Sequence, residues 1–121
     1  RRLTRDHSIG QRMLDAGRLT EAQVRRLPAR GILTRALGVD AAAPQAELGV
    51  HEWGAGDLLL LCSDGLTDWL EDAVIRALLT GPGPSLGERA SELIVAAHEH
   101  GCTDDATVLL AGSSRRPAAA R

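Results

Sequence analysis

Gly56-Asp57-Leu58-Leu59-Leu60-Leu61-Cys62-Ser63-Asp64-Gly65-Leu66-Thr67-Asp68 is the stretch on which the fold turns. Leu58 to Cys62 is an unbroken apolar run, the pattern of a strand buried on both faces. Gly56-Asp57 turns the chain into it, and Ser63-Asp64-Gly65 turns it out. A carboxylate where a buried strand emerges can cap a helix, satisfy a turn or hold a ligand. Asp68, one turn further on, is the expected cap of the following helix, which frees Asp64 for another task. Gly65 lets the backbone turn tightly beside it.

Downstream, Trp69 to Leu79 carries Leu70, Val74, Ala77 and Leu78 at helical spacing, and Gly81-Pro82-Gly83-Pro84 breaks the chain. Ser85 then opens a longer helix, Leu86 to His100, with Glu88 three residues on to complete a capping box. Gly101 ends it. Asp104 and Asp105 stand immediately before a second buried strand, Thr107 to Leu110. Adjacent side chains point apart, so one acid of this pair can face a site shared with Asp64 if the two strands are neighbours. Clustered carboxylates repel, and a hard cation such as Mg²⁺ or Mn²⁺ relieves that cost with oxygen ligands.

Upstream, Ile9, Met13 and Leu14 follow Asp6-His7-Ser8 in a short helix that Gly17 can stop in the left-handed conformation. Thr20 caps a second short helix ending near Pro28. Ile32 to Gly38 reads as a short ordered segment, Asp40 to Pro44 as a loop, and Glu47 to Trp53 as a strand by its alternation. Ser113 to Arg121 reads as a disordered tail.

The composition narrows the partners. Trp53 and Trp69 are the whole aromatic content, which argues against a base-stacking nucleic-acid surface. The longest apolar run is far short of the ~20 residues a membrane span needs. Every one of the 14 basic residues is Arg, read here as a coding bias rather than a binding signal. Residues 1–35 hold nine Arg against three acids, and residues 36–112 hold two Arg against 13 acids. Such polarity can steer an anion towards the basic end, or can reflect solvated helix faces. Two cysteines make no disulfide framework and suit a reduced, cytoplasmic setting. A monomer is expected. The opening Arg1-Arg2, without a methionine, suggests an excerpt or processed piece.

Five pieces in order carry a family resemblance: Leu3-Thr4-Arg5-Asp6-His7-Ser8, Ala16-Gly17-Arg18-Leu19-Thr20-Glu21-Ala22, Leu33-Thr34-Arg35-Ala36-Leu37-Gly38, Gly56 to Asp68, and Gly101 to Val108. With these spacers the chain resembles, over residues 3–111, the C-terminal half of the bacterial metal-dependent protein phosphatases, the PPM or type 2C serine/threonine family. The resemblance implies an α/β architecture, an α-β-β-α layered sandwich. Residues 1–112 would form the C-terminal portion of the domain, and residues 15–38 its flap-like segment.

By position, Asp64 and Asp104 match family metal ligands, and Asp6 matches an aspartate that helps hold an additional ion. The implied cofactors are two or three Mn²⁺ or Mg²⁺ ions. The implied substrates are phosphoserine and phosphothreonine in phosphorylated proteins. Two metals ~3.5–4 Å apart would activate a water for in-line attack on phosphorus.

Asp105 departs from the family, standing where Asn is usual. The family's glycine-rich acidic motif, its phosphate-binding Arg and its leaving-group His are not in this sequence. The chain by itself is therefore expected to be an inactive fragment of an active enzyme. The alternative is a pseudophosphatase or regulatory binding module of the same fold. A haloacid dehalogenase-type phosphotransferase needs Asp-x-Asp at a strand end, and Leu66 occupies the second Asp position. His7 is read as a surface turn residue, and His51 and His98 carry no assigned role. His100 favours the end of its helix. Cys62 is expected in the core and Cys102 as a loop thiol.

Overall fold

A computed structural model of the chain describes residues 1–38, 46–81 and 85–113. The expected Asp40–Pro44 loop, Pro82 to Pro84 and all but the first residue of the expected tail lie outside the described residues. The chain divides into two units, Arg1–Val50 and His51–Arg121.

In the first unit, α1 (Ile9–Asp15) and α2 (Glu21–Arg25) form the expected helical pair. Ser8 caps α1, its Oγ accepting the Gln11 N–H at 3.2 Å. Gly17 ends that helix at φ 63°, donating to Leu14 while Arg18 donates to Met13, the paired bonds of a Schellman stop. Thr20 caps α2 through a reciprocal box with Gln23. Gly10 permits close packing, because a Cβ there would lie 2.9 Å from Val24 Cγ1 and 3.0 Å from the Arg30 carbonyl oxygen. The segment of unassigned type, Ile32 to Gly38, begins antiparallel to the entry of α1: Ser8 bridges Leu33, and the Thr34 N–H reaches the His7 carbonyl at 2.7 Å.

In the second unit, β1 (Leu58–Cys62) and β2 (Val108–Gly112) pair antiparallel, Leu58 opposite Gly112 and Cys62 opposite Val108. β2 runs further than expected, to Gly112, because β1 supplies partners that far. Between the strands come α3 (Asp64–Thr67), α4 (Asp72–Thr80) and α5 (Leu86–Glu99). The expectation of one helix from Trp69 is corrected. The chain makes a separate helical turn as soon as it leaves β1, so Asp68 closes α3, donating to the Asp64 carbonyl at 2.9 Å. Glu71 occupies the N-cap position of α4.

α5 opens as expected on a capping box, Ser85 with Glu88. It ends on a second Schellman stop at Gly101 (φ 96°), with the Cys102 N–H on the Ala97 carbonyl and the Gly101 N–H on that of His98. The core is Leu66 and Leu70 from the α3 segment, Ile75 from α4, Leu93 and Ala97 from α5, and Cys102. Leu66 and Leu70 stand four apart and so share one helical face. Each buried leucine contributes about 1.5–3 kcal/mol. Arg89 of α5 donates to the carbonyls of Leu78 and Gly81, holding the open end of α4.

Two strand expectations are corrected. β1 is only half-buried, with Leu61 53% exposed, and among the described residues its sheet has two strands. Glu47 to Trp53 forms no strand. Leu48 and Val50 are 91% and 100% exposed. Alternation says which faces a strand would bury, and it is silent on whether a neighbouring strand exists.

Candidate metal centre

The antiparallel pairing puts the exit of β1 and the entry of β2 at the same end of the ladder. Asp64 follows the first and Asp104 precedes the second, so the adjacency on which their pairing depended is present. Beyond the ladder the two loops stay in contact. The Ser63 N–H donates to the Thr107 carbonyl at 3.1 Å. Ser63 Oγ accepts the Thr107 N–H at 3.0 Å and donates to the Asp105 carbonyl at 3.4 Å. From the other side, the Cys102 thiol donates to the Gly65 carbonyl at 3.1 Å and lies 3.4 Å from that of Asp104.

Gly65 is where the loops touch most closely. A Cβ there would fall on the Asp105 carbonyl oxygen and lie 3.2 Å from the Ala106 Cα. The reason for glycine is thus approach rather than backbone twist, since Gly65 is not among the residues with positive φ. It sits buried in the first turn of α3, and Asp64 beside it is exposed.

Asp104 and Asp105 are exposed as well. Asp104 Oδ1 accepts the Asp105 N–H at 2.8 Å, which fixes its orientation relative to the loop. No ion pair with a basic side chain is found for Asp64, Asp104 or Asp105 among the described residues. In donor chemistry the pair suits a hard divalent cation, offering carboxylate oxygens at a mount where glycine has cleared the space. In number it falls short. Among the described residues no group of three or more His, Cys, Asp and Glu side chains is placed to hold a metal ion.

Asp6 belongs to the first unit. It lines an open polar cleft there with Arg5, His7, Arg12, Asp15 and Arg35. Arg5 pairs with Asp15 at 3.2 Å, and an Arg35 guanidinium nitrogen lies 3.5 Å from His7 Nε2. His7 is therefore half-buried rather than a free surface turn. His100 sits at the end of α5 as expected, its Nδ1 2.8 Å from the Ala96 carbonyl, and His98 Nδ1 lies 3.1 Å from the Cys102 carbonyl.

Cys102 needs the larger revision. It is a loop residue by position and 5% exposed, because the Schellman stop at Gly101 folds it under α3. Cys62 is half-buried against the same core, and the two cysteines form no disulfide. The sequence reading passed over Ser63 and Cys102 as partners of the acidic loops. The available signal was their place beside each aspartate, on residues small enough to reach across.

No protein-family profile matches the chain. Individual relatives do. A serine/threonine phosphatase, stp, of Listeria innocua is 36% identical over 110 residues, covering 91% of this chain and 43% of its own length. The solved serine/threonine phosphatase of S. agalactiae superposes with a TM-score of 0.84 at 37% identity, over 93% of this chain and 46% of that one. The catalytic domain of the serine/threonine protein phosphatase PstP, solved with two manganese ions, gives a TM-score of 0.75 at 34% identity, over 93% and 45%. The mixed helix-and-strand fold is that of the PPM phosphatases. Over more than nine-tenths of its length the chain is similar to bacterial PPM, or type 2C, serine/threonine phosphatases, and it spans less than half the length of the relatives it matches.

Proposed function

We propose that this chain supplies part of the metal centre of a protein serine/threonine phosphatase. Asp64 and Asp104 are its ligands to Mn²⁺ or Mg²⁺, and Asp6 helps to hold an additional ion. The observation that carries the reading is the close apposition of the Asp64 and Asp104 loops, in a chain that matches PPM phosphatases over more than nine-tenths of its length. A relative solved with two manganese ions supports the choice of metal.

When bound, the ions supply charge neutralisation at the phosphoryl group and a water of lowered pKa for attack on phosphorus. The chain's own part is placement. β1 and β2 form the mount, Gly65 clears the approach, and the two carboxylates present oxygens at one end of the ladder. The substrates on this reading are phosphoserine and phosphothreonine of phosphorylated proteins, and the setting is the cytoplasm, with the protein a monomer. No helix among the described residues is long and apolar enough to cross a membrane.

Two loop carboxylates are an incomplete ligand set, so the chain alone should bind Mn²⁺ weakly and hydrolyse p-nitrophenyl phosphate near background. Titration with Mn²⁺, followed by the paramagnetic signal of the free ion, should show binding that Asp64→Asn abolishes. Binding unchanged in Asp64→Asn would overturn the ligand assignment. Robust turnover by the chain alone, lost in Asp64→Asn, would overturn its inactivity while supporting the site.

A further inference from the structure

Backbone pairing does little to hold the acidic loops together once the ladder has ended. Past Cys62 and Val108, the one backbone bond between Ser63–Leu66 and Cys102–Thr107 is that from Ser63 to Thr107. The rest of the junction is made by two side chains working in opposite directions. Ser63 reaches from the first loop to the backbone of Asp105 and Thr107 in the second. Cys102 reaches from the second loop to the backbone of Gly65 in the first, with its own Asp104 carbonyl close by. The anchoring points bracket the acids: Ser63 and Gly65 stand on either side of Asp64, and Asp104 lies between Cys102 and Asp105.

We infer that Ser63 and Cys102 are positioning residues, a crossed pair of latches that sets the separation of Asp64 and Asp104 and so their affinity for a divalent cation. The inference rests on the metal reading above. Each latch suits its location. The serine hydroxyl both accepts and donates, and so can serve two backbone groups at once. The thiol is a weak donor, but it is buried and is held by the Gly101 helix stop, so little freedom is lost when it bonds. Pure core filling would need the volume of Cys102 and would have no use for the hydroxyl of Ser63.

The test compares Ser63→Ala, Cys102→Ala and Ser63→Thr in the full chain, by Mn²⁺ titration and by amide hydrogen exchange. Each alanine variant should weaken Mn²⁺ binding by about two- to tenfold, the scale of one lost hydrogen bond. Ser63→Thr keeps the hydroxyl and should stay within about twofold of the parent. Exchange at the Thr107 amide should quicken in Ser63→Ala while the α5 amides keep their rates, a local change that general destabilisation would not give.

Parental affinity in both alanine variants would overturn the inference, as would Ser63→Thr binding no better than Ser63→Ala. If the parent chain binds no Mn²⁺, the ligand reading fails separately and the exchange data judge the latches. Unchanged rates at Leu66 and Thr107 in both alanine variants would then sink them, and local quickening would uphold them.

Discussion

Two stretches of this chain upstream of Ser63 read as strands, and one of them is a strand. Leu58–Cys62 finds β2 alongside it, with the register fixed from Leu58 opposite Gly112 to Cys62 opposite Val108. Glu47 to Trp53 has the cleaner alternation and no ladder, and its Leu48 and Val50 side chains stand almost wholly in solvent. A β-pattern is a statement about faces, and its backbone groups need a second segment to pair with. Where the partner is present, the pairing organises more than itself. It places the loops of Asp64 and Asp104 at one end and lets side chains complete the junction.

The largest expected effect comes from removing the closeness on which that junction depends. Gly65→Ala would put a methyl carbon onto the Asp105 carbonyl oxygen, an atom of the backbone that no rotamer can move aside. The loops would have to part. We expect a loss of about 3 kcal/mol in denaturant unfolding, at the upper end for overpacking, with Mn²⁺ binding lost as well. Parental stability in this variant would show that the two loops are not held as closely as the comparison requires.

Much of the helical structure was readable because its signals are local. Ser85 and Glu88, Thr20, Gly17 and Gly101 act within four residues of themselves, and each does what its type suggests at that place. The boundary between α3 and α4 was not readable, since a four-residue turn after β1 leaves the same apolar spacing as one longer helix. The candidate ligands Asp64 and Asp104 flank paired strands, yet nothing local in either loop announces the other. Their meeting depends on residues 40 apart in the chain. The burial of Cys102 was missed for the same reason: it follows from α3 packing across the end of α5, a tertiary event.

A smaller effect separates a locally built feature from a tertiary one. The Ser85 hydroxyl, and then the Ser85 backbone N–H, hold the Glu88 carboxyl below its ordinary value. A carboxyl depressed in the folded state stabilises above the unfolded-state value, ~4.3. That contribution is lost as pH falls through the lower folded-state value. The parent should therefore exceed Glu88→Gln in thermal stability near neutrality, by a margin that shrinks to nothing in acid. A margin that stays constant with pH would mean the carboxylate charge adds nothing to the capping box. Mn²⁺ binding should be the same in both proteins, because α5 is capped at the end away from Asp104.

The smallest expected effect is none, and it bears directly on the unpaired stretch. Val50 is fully exposed and Leu48 nearly so, so exchanging both for Thr removes apolar surface that water already covers. Surface changes of this kind lie within about 0.5 kcal/mol, and β-branched Thr has a shape that an extended backbone tolerates. The melting temperature of the double variant should match that of the parent at every concentration tested. A lower melting temperature at all concentrations would mean that residues 47–53 pack within the chain, as the alternation suggests and the exposures deny. A difference that grows with concentration would mean that these side chains become buried between copies of the chain. In either case the alternation of Glu47 to Trp53 would mark a strand that forms once it has a neighbour, and the contrast with Leu58–Cys62 would be one of partner rather than of sequence.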